Sequence, residues 1–89
     1  MESTGSVNVS GGKLVRVSAT YEEVIESVTI TGDFFLEPPA ARRDLEAAIE
    51  GAPVTVARAD LVEAIQAVDA TLIGFDAGDL ADATLEAVR

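Results

Sequence analysis

The chain of 89 residues has no cysteine, no histidine and no tryptophan, and holds one lysine, Lys13, and one tyrosine, Tyr21. Each absence closes a class of chemistry. Without cysteine there is no disulfide framework and no thiolate nucleophile. Without cysteine or histidine the usual zinc, haem and iron–sulfur ligands are gone. Neither a Ser-His-Asp nor a Cys-His arrangement is possible. This inventory suits a binding or accessory module better than an independent enzyme. Long apolar runs are also missing, and nothing approaches the ~20 residues of a membrane span. The opening "MESTGSVNVS" has neither the basic start nor the apolar stretch of a signal peptide. A cytoplasmic chain without membrane attachment is the expectation.

Positive charge is scarce. Six basic residues face 16 acidic ones, for a net charge of −10. Phosphate backbones need a basic patch, so nucleic acid is not expected as a partner. Five of the six cations are arginine, in a chain rich in Asp, Glu, Ala, Val and Thr. That is the composition of proteins from salt-loving cells. At molar salt the Debye length is ~3 Å, which screens self-repulsion. The alternative is an acidic surface that meets a basic partner.

The length gives one small domain that hides roughly 60–65% of its unfolded surface. Residues 1 to 6 are small and polar and read as a disordered N-terminus, leaving 7–89 as the folded domain. "VNV" at 7–9 is a short extended piece and "SGGK" at 10–13 a loop. From Leu14 to Tyr21 the pattern alternates, with Val15, Val17, Ala19 and Tyr21 on one face and Arg16, Ser18 and Thr20 on the other. From Ile25 to Thr31 it alternates again, with Val28 and Ile30 opposite Ser27, Thr29 and Thr31. Period two over two neighbouring runs predicts a β-hairpin. Its turn near Glu22-Glu23 lacks the Asn-Gly or Asp-Gly of the tightest hairpins.

Pro38-Pro39 ends the extended region and opens a helix to Glu50, with Gly51 as its C′ residue. "APVTVAR" at 52–58 reads as an edge strand or a connection. "DLVE" at 60–63 has the capping-box pattern for a second helix, and Asp76 with Asp79 has it for a last one. "TLIGF" at 71–75 reads as an apolar link between them. The expected fold is α+β: a small antiparallel sheet built on a hairpin, with three helices packed on one face.

Four constellations carry possible chemistry. "VSGGKLV" resembles a phosphate loop, but its glycines open a strand and Leu14 follows the lysine, so that mechanism fails. It is a loop with an exposed lysine, or a place where the backbone approaches a partner while Lys13 and Arg16 supply charge. Arg42 and Arg43 stand in the first turns of a helix, where cations are mildly unfavourable. They form a solvated face with Arg42 paired to Glu46, or they contact an acidic partner or a phosphate. Asp33, Glu37, Glu22, Glu23 and Glu26 are carboxylates near the hairpin without a pattern that marks a catalytic pair. Last, Phe34 and Phe35 are adjacent in "TGDFFLEPP". If the strand keeps its register past Gly32, Phe34 joins Val28 and Ile30 in the core, and Asp33 and Phe35 face away. A bulge at Gly32 would exchange the rings, and a curled chain would pack both under the helices.

"GGKLVRV", "VTITGDFFLEP", "LEAAIEGAPV", "DLVEAI" and "LIGFDAGDLADA" together resemble, in order and spacing, the C-terminal or accessory domain of lipoate–protein ligase. The resemblance spans about residues 7 to 88, and Gly32-Asp33-Phe34-Phe35 is its most specific part. Family members carry this domain fused behind the catalytic domain or, in some archaea, as a separate small subunit of a heterodimer. The resemblance implies a fold related to iron–sulfur scaffold proteins of the IscU and SufE type. It also implies a non-catalytic subunit, here of the separate archaeal kind. The catalytic partner would bind ATP, Mg and lipoate, form lipoyl-AMP with support from this domain, and pass the lipoyl group to a lysine of a lipoyl domain. Lys13 does not correspond to the family's catalytic lysine, which lies in the large domain. No cofactor is expected on this chain itself. The candidate partner-binding residues are Gly12, Lys13, Arg16, Asp33 and Phe35. The alternatives are a stand-alone module that recognises lipoyl domains or another small protein and, from fold alone, an iron–sulfur assembly accessory.

Overall fold

Two β-branched runs with strict alternation generate the centre of the fold. The computed structural model describes residues 1–9, 11 and 13–89. Strand β2 is Lys13–Tyr21 and β3 is Ile25–Gly32, paired antiparallel. Val15, Val17 and Ala19 of β2 and Ile25, Val28 and Ile30 of β3 are buried, whereas Arg16, Ser18 and Thr29 are exposed. Ile25 and Val28 are three residues apart, yet both point inward. The register shifts there, with Thr20 opposite Ser27 and Tyr21 opposite Ile25, so Glu26 is the extra residue of a bulge. The irregularity of the hairpin therefore lies at Glu26, not at Gly32.

The N-terminal residues are not disordered. Glu2–Val9 forms strand β1, paired antiparallel to β2 in a sheet of order β1-β2-β3. The missing sequence signal has a physical cause at Gly5. This residue is buried where β1 crosses the last helix, and a Cβ built there would collide with the Ala83 carbonyl oxygen and the Ala87 nitrogen. A backbone this close to a helix admits only glycine, so along residues 1–6 no bulky apolar residue marks the inward face, which shows apolar side chains only further on, at Val7 and Val9. The Met1 ammonium also donates to the Tyr21 carbonyl (2.7 Å) and to Glu22 (2.8 Å).

One face of the sheet carries the helices. Helix α1 (Ala41–Ile49) lies on β3 and α3 (Ala77–Val88) on β1 and β2, with α2 (Arg58–Gln66) against both helices. The opposite face is polar and open. Pro38 and Pro39 precede α1 as a turn, and their carbonyls accept the N–H groups of Ala41 and Arg42. Gly51 ends the helical segment at φ 91°, as a C′ glycine should. Asp76 and Asp79 exchange both capping-box bonds, at 2.8 and 3.0 Å. The capping box expected at Asp60 is not formed. Helix α2 begins earlier, because extended Ala57 accepts the N–H groups of Asp60 and Leu61, and Asp60 becomes an acid of the first turn. Residues 52–57 form a connection, and Arg58 already belongs to α2; a bridge at Val24 and Pro53 holds it to the hairpin, with the Ile25 N–H donating to the Ala52 carbonyl (2.8 Å) and the Val54 N–H to the Glu23 carbonyl (3.0 Å).

The outer rim of β3 is closed by side chains. The N–H groups of Val28 and Ile30 point away from β2 and donate to Glu50 (3.1 Å) and Glu46 (2.9 Å) of α1 and its cap. Arg43 bridges both carboxylates, at 2.8 Å to Glu50 and 3.3 Å to Glu46. The helical partner of Glu46 is thus Arg43, not Arg42. The Arg43 hydrogen bond holds the Glu50 carboxyl below its ordinary value, aided by the Val28 N–H and opposed by burial. Among the described residues, Glu46 and Thr84 are the buried polar ones, and Thr84 is satisfied by the Leu80 carbonyl at 2.8 Å.

Candidate docking surface

Gly32 sets the geometry of the site. At φ 148° it ends β3, and a Cβ there would overlap the Leu14 carbonyl. The Asp33 N–H closes onto that carbonyl at 2.9 Å. The chain then turns into a short ribbon: β4 (Phe35–Glu37) pairs antiparallel with β5 (Thr71–Ile73), the segment read from sequence as a link. Phe34, before the ribbon, is half-buried and tilts against Phe75 with ring centroids 4.4 Å apart. Phe35 points out and is 68% exposed.

Phe35 and Ile73 are direct cross-strand partners, so their side chains share one face. That face looks outward, and Ile73 is 40% exposed. Leu36 and Leu72 form the inward pair and join the core. The methylene stem of Lys13 lies over Gly74, the residue after Ile73; a Cβ at Gly74 would be 3.6 Å from Lys13 Cγ. Two open depressions flank the Phe35 ring. One, of about 380 Å³, runs between Ile30, Phe34, Phe35, Pro39 and Arg42. The other, of about 460 Å³, is lined by Gly11, Lys13, Asp33, Phe34 and Phe35.

The structure thus brings Lys13, Asp33 and Phe35 together. Arg16 stands apart on the open face of the sheet, opposite Thr31 of β3, which borders the first depression. Gly12 lies outside the described residues. Ile73 and Arg42 belong to the surface but were absent from the sequence-based set. The alternation of half-buried Leu72 with exposed Ile73 was present in "TLIGF", but three residues are too few for a period to declare itself.

Charge is unevenly distributed around this surface. Arg43 is held by Glu46 and Glu50, Arg58 by Asp82 at 2.7 Å, and Arg89 by the carbonyls of Val54 and Val56. Among the described residues, the side chains of Lys13, Arg16 and Arg42 make no ion pair or hydrogen bond. The same residues contain no cluster of acidic groups able to hold a metal ion, and no helix long and apolar enough to cross a membrane. The arrangement offers an apolar projection with free cations beside it.

No protein-family model matches the chain. No curated protein sequence matches it either. Among solved structures, the fold matches a chain from an archaeal lipoylation system of Thermoplasma acidophilum, described as a bipartite lipoate protein ligase and its E2 lipoyl domain. The TM-score is 0.76 at 20% sequence identity, and the match covers 94% of each chain. At that identity the likeness is one of fold: from end to end, this chain is built like a chain of an archaeal lipoylation system.

Proposed function

We propose that the chain is the accessory subunit of a two-protein lipoate–protein ligase. The observation that carries this reading is the end-to-end fold match with a chain of nearly equal length from a system whose ligase is bipartite. The resemblance in "GGKLVRV" and "TGDFFLEP" supports it independently. In this reading the catalytic subunit binds ATP, Mg and lipoate and forms lipoyl-AMP in the cytoplasm. The lipoyl group then passes to a lysine of a lipoyl domain. The present chain docks on the catalytic subunit through Gly12, Lys13, Arg16, Asp33 and Phe35. It favours the adenylation-competent shape by binding it more tightly than the alternative. Every tenfold shift toward that shape requires about 1.4 kcal/mol of differential affinity.

The test is lipoyl-AMP formation by the catalytic subunit of the same organism, with and without this chain. Formation is expected to be weak alone and to rise at least tenfold on addition. Equal rates in both arms would refute the assignment. The E2 lipoyl domain in the neighbour's system motivates a second reading, in which this chain binds lipoyl domains directly. Capture of a lipoyl domain without a ligase subunit from cell extract would favour it.

A further inference from the structure

We infer that the Phe35–Ile73 ridge is a plug that enters an apolar socket on the catalytic subunit, and that the socket's rim carries carboxylates facing Lys13 and Arg42. This deepens the proposed function and rests on it. Among the described residues, four large hydrophobic residues are exposed: Met1, Val24, Phe35 and Ile73. Met1 and Val24 lie by the Tyr21 end of β2. Phe35 and Ile73 sit at its other end, near Lys13, and are paired across a ribbon whose inner face is already filled by Leu36 and Leu72. The outward pair is therefore not a spillover of the core. It projects between two depressions, so its counterpart is concave. Aromatic side chains in such sockets are the usual energetic centres of interfaces.

The charges choose the occupant. Among the described residues, the side chains of Lys13, Arg16 and Arg42 make no ion pair or hydrogen bond; Lys13 and Arg42 line the depressions beside this ridge, in a chain of net charge −10. Asp33 and Glu37 are the acidic residues on the ribbon and its approach. Lys13 and Arg42 balance them, so this surface is locally neutral while the rest of the molecule holds the net negative charge. A second copy docking through the same face by a two-fold axis would bring like cations together. A partner with carboxylates at its rim would not. Lys13 and Arg42 approach the ridge from opposite depressions, so the rim acids belong on both sides of the socket.

Isothermal titration of the catalytic subunit with this chain, at low salt and in molar KCl, tests the inference. Phe35→Ala is expected to weaken binding by about thirtyfold in both conditions, since an aromatic hot spot does not depend on screening. Ile73→Ala should follow in the same direction. Arg42→Glu and Lys13→Glu should each weaken binding by about tenfold at low salt and far less at molar salt, where the Debye length is ~3 Å. Val24→Ala, at the far end of the sheet, should leave the affinity unchanged. Binding and activation by wild type with no loss in Phe35→Ala would overturn the plug and leave the accessory function standing. Failure of wild type to bind or to raise lipoyl-AMP formation would overturn both. Loss of a self-dimer in Phe35→Ala, with ligase binding intact, would reassign the ridge to a second copy.

Discussion

Gly5 shows how one missing side chain shapes both the fold and its legibility. The position looks like part of a loose polar terminus, yet it is where β1 and α3 touch backbone to backbone. Gly5→Ala should cost ~1–3 kcal/mol, because the obstructing atoms are main-chain atoms of Ala83 and Ala87 and cannot rotate away. A urea midpoint equal to that of wild type would show that the contact is looser than this. Gly32 has the complementary role: its positive φ lets the chain leave β3, and that departure separates the two phenylalanines. The parity of the preceding strand gave Phe34 inward and Phe35 outward. The rings do lie that way, but β3 stops at Gly32 and a new strand begins at Phe35. Phe34 is half-buried on Phe75, so its removal costs less than that of a fully enclosed ring.

Among the elements, those with several turns or pleats of regular pattern were readable: β2, β3, α1 and the capped start of α3. Those that depend on partners were not. Strand β1 hides because tight helix contact demands glycine, and β4 and β5 hide because each is three residues long. Helix α2 starts two residues before the apparent capping aspartate, since a backbone carbonyl does the capping. Of the site, Lys13, Asp33 and Phe35 were legible from the hairpin and its exit. Ile73 was not, because it reaches the ridge through tertiary pairing. The bond between α1 and β3 has its own pH dependence. Glu50 is depressed below its ordinary value of 4.5, first by Arg43. Its contribution to stability is therefore complete above about pH 4.5 and is lost as pH falls through the lower, folded-state value. Glu50→Gln should flatten this part of an acid-unfolding curve; an unchanged slope below pH 4.5 would mean that the Arg43 contact carries no stability.

For the whole molecule, charge sets the conditions of use. The Cα radius of gyration is 11.6 Å. A Debye length of ~30 Å at 0.01 M salt exceeds that radius, so nearly every acidic group feels every other; at 1 M it falls to ~3 Å and only neighbours interact. With a net charge of −10, the folded chain should gain stability as salt rises. The urea midpoint is expected to increase between 10 mM and 1 M KCl, and a flat or falling midpoint would reject salt adaptation in favour of an acidic face made for a basic partner.

The carboxylates on the rim of β3 have a consequence for crowded solutions. A strand rim with idle N–H groups invites strands from other molecules, and successive joining of that kind builds fibrils. Here the outward N–H groups of Val28 and Ile30 are already engaged by the chain's own Glu50 and Glu46. A foreign strand must displace two acidic groups to find a donor, and it meets their charge as it approaches. The helix that roofs the core thereby also guards the β3 edge of the sheet against the addition of a foreign strand.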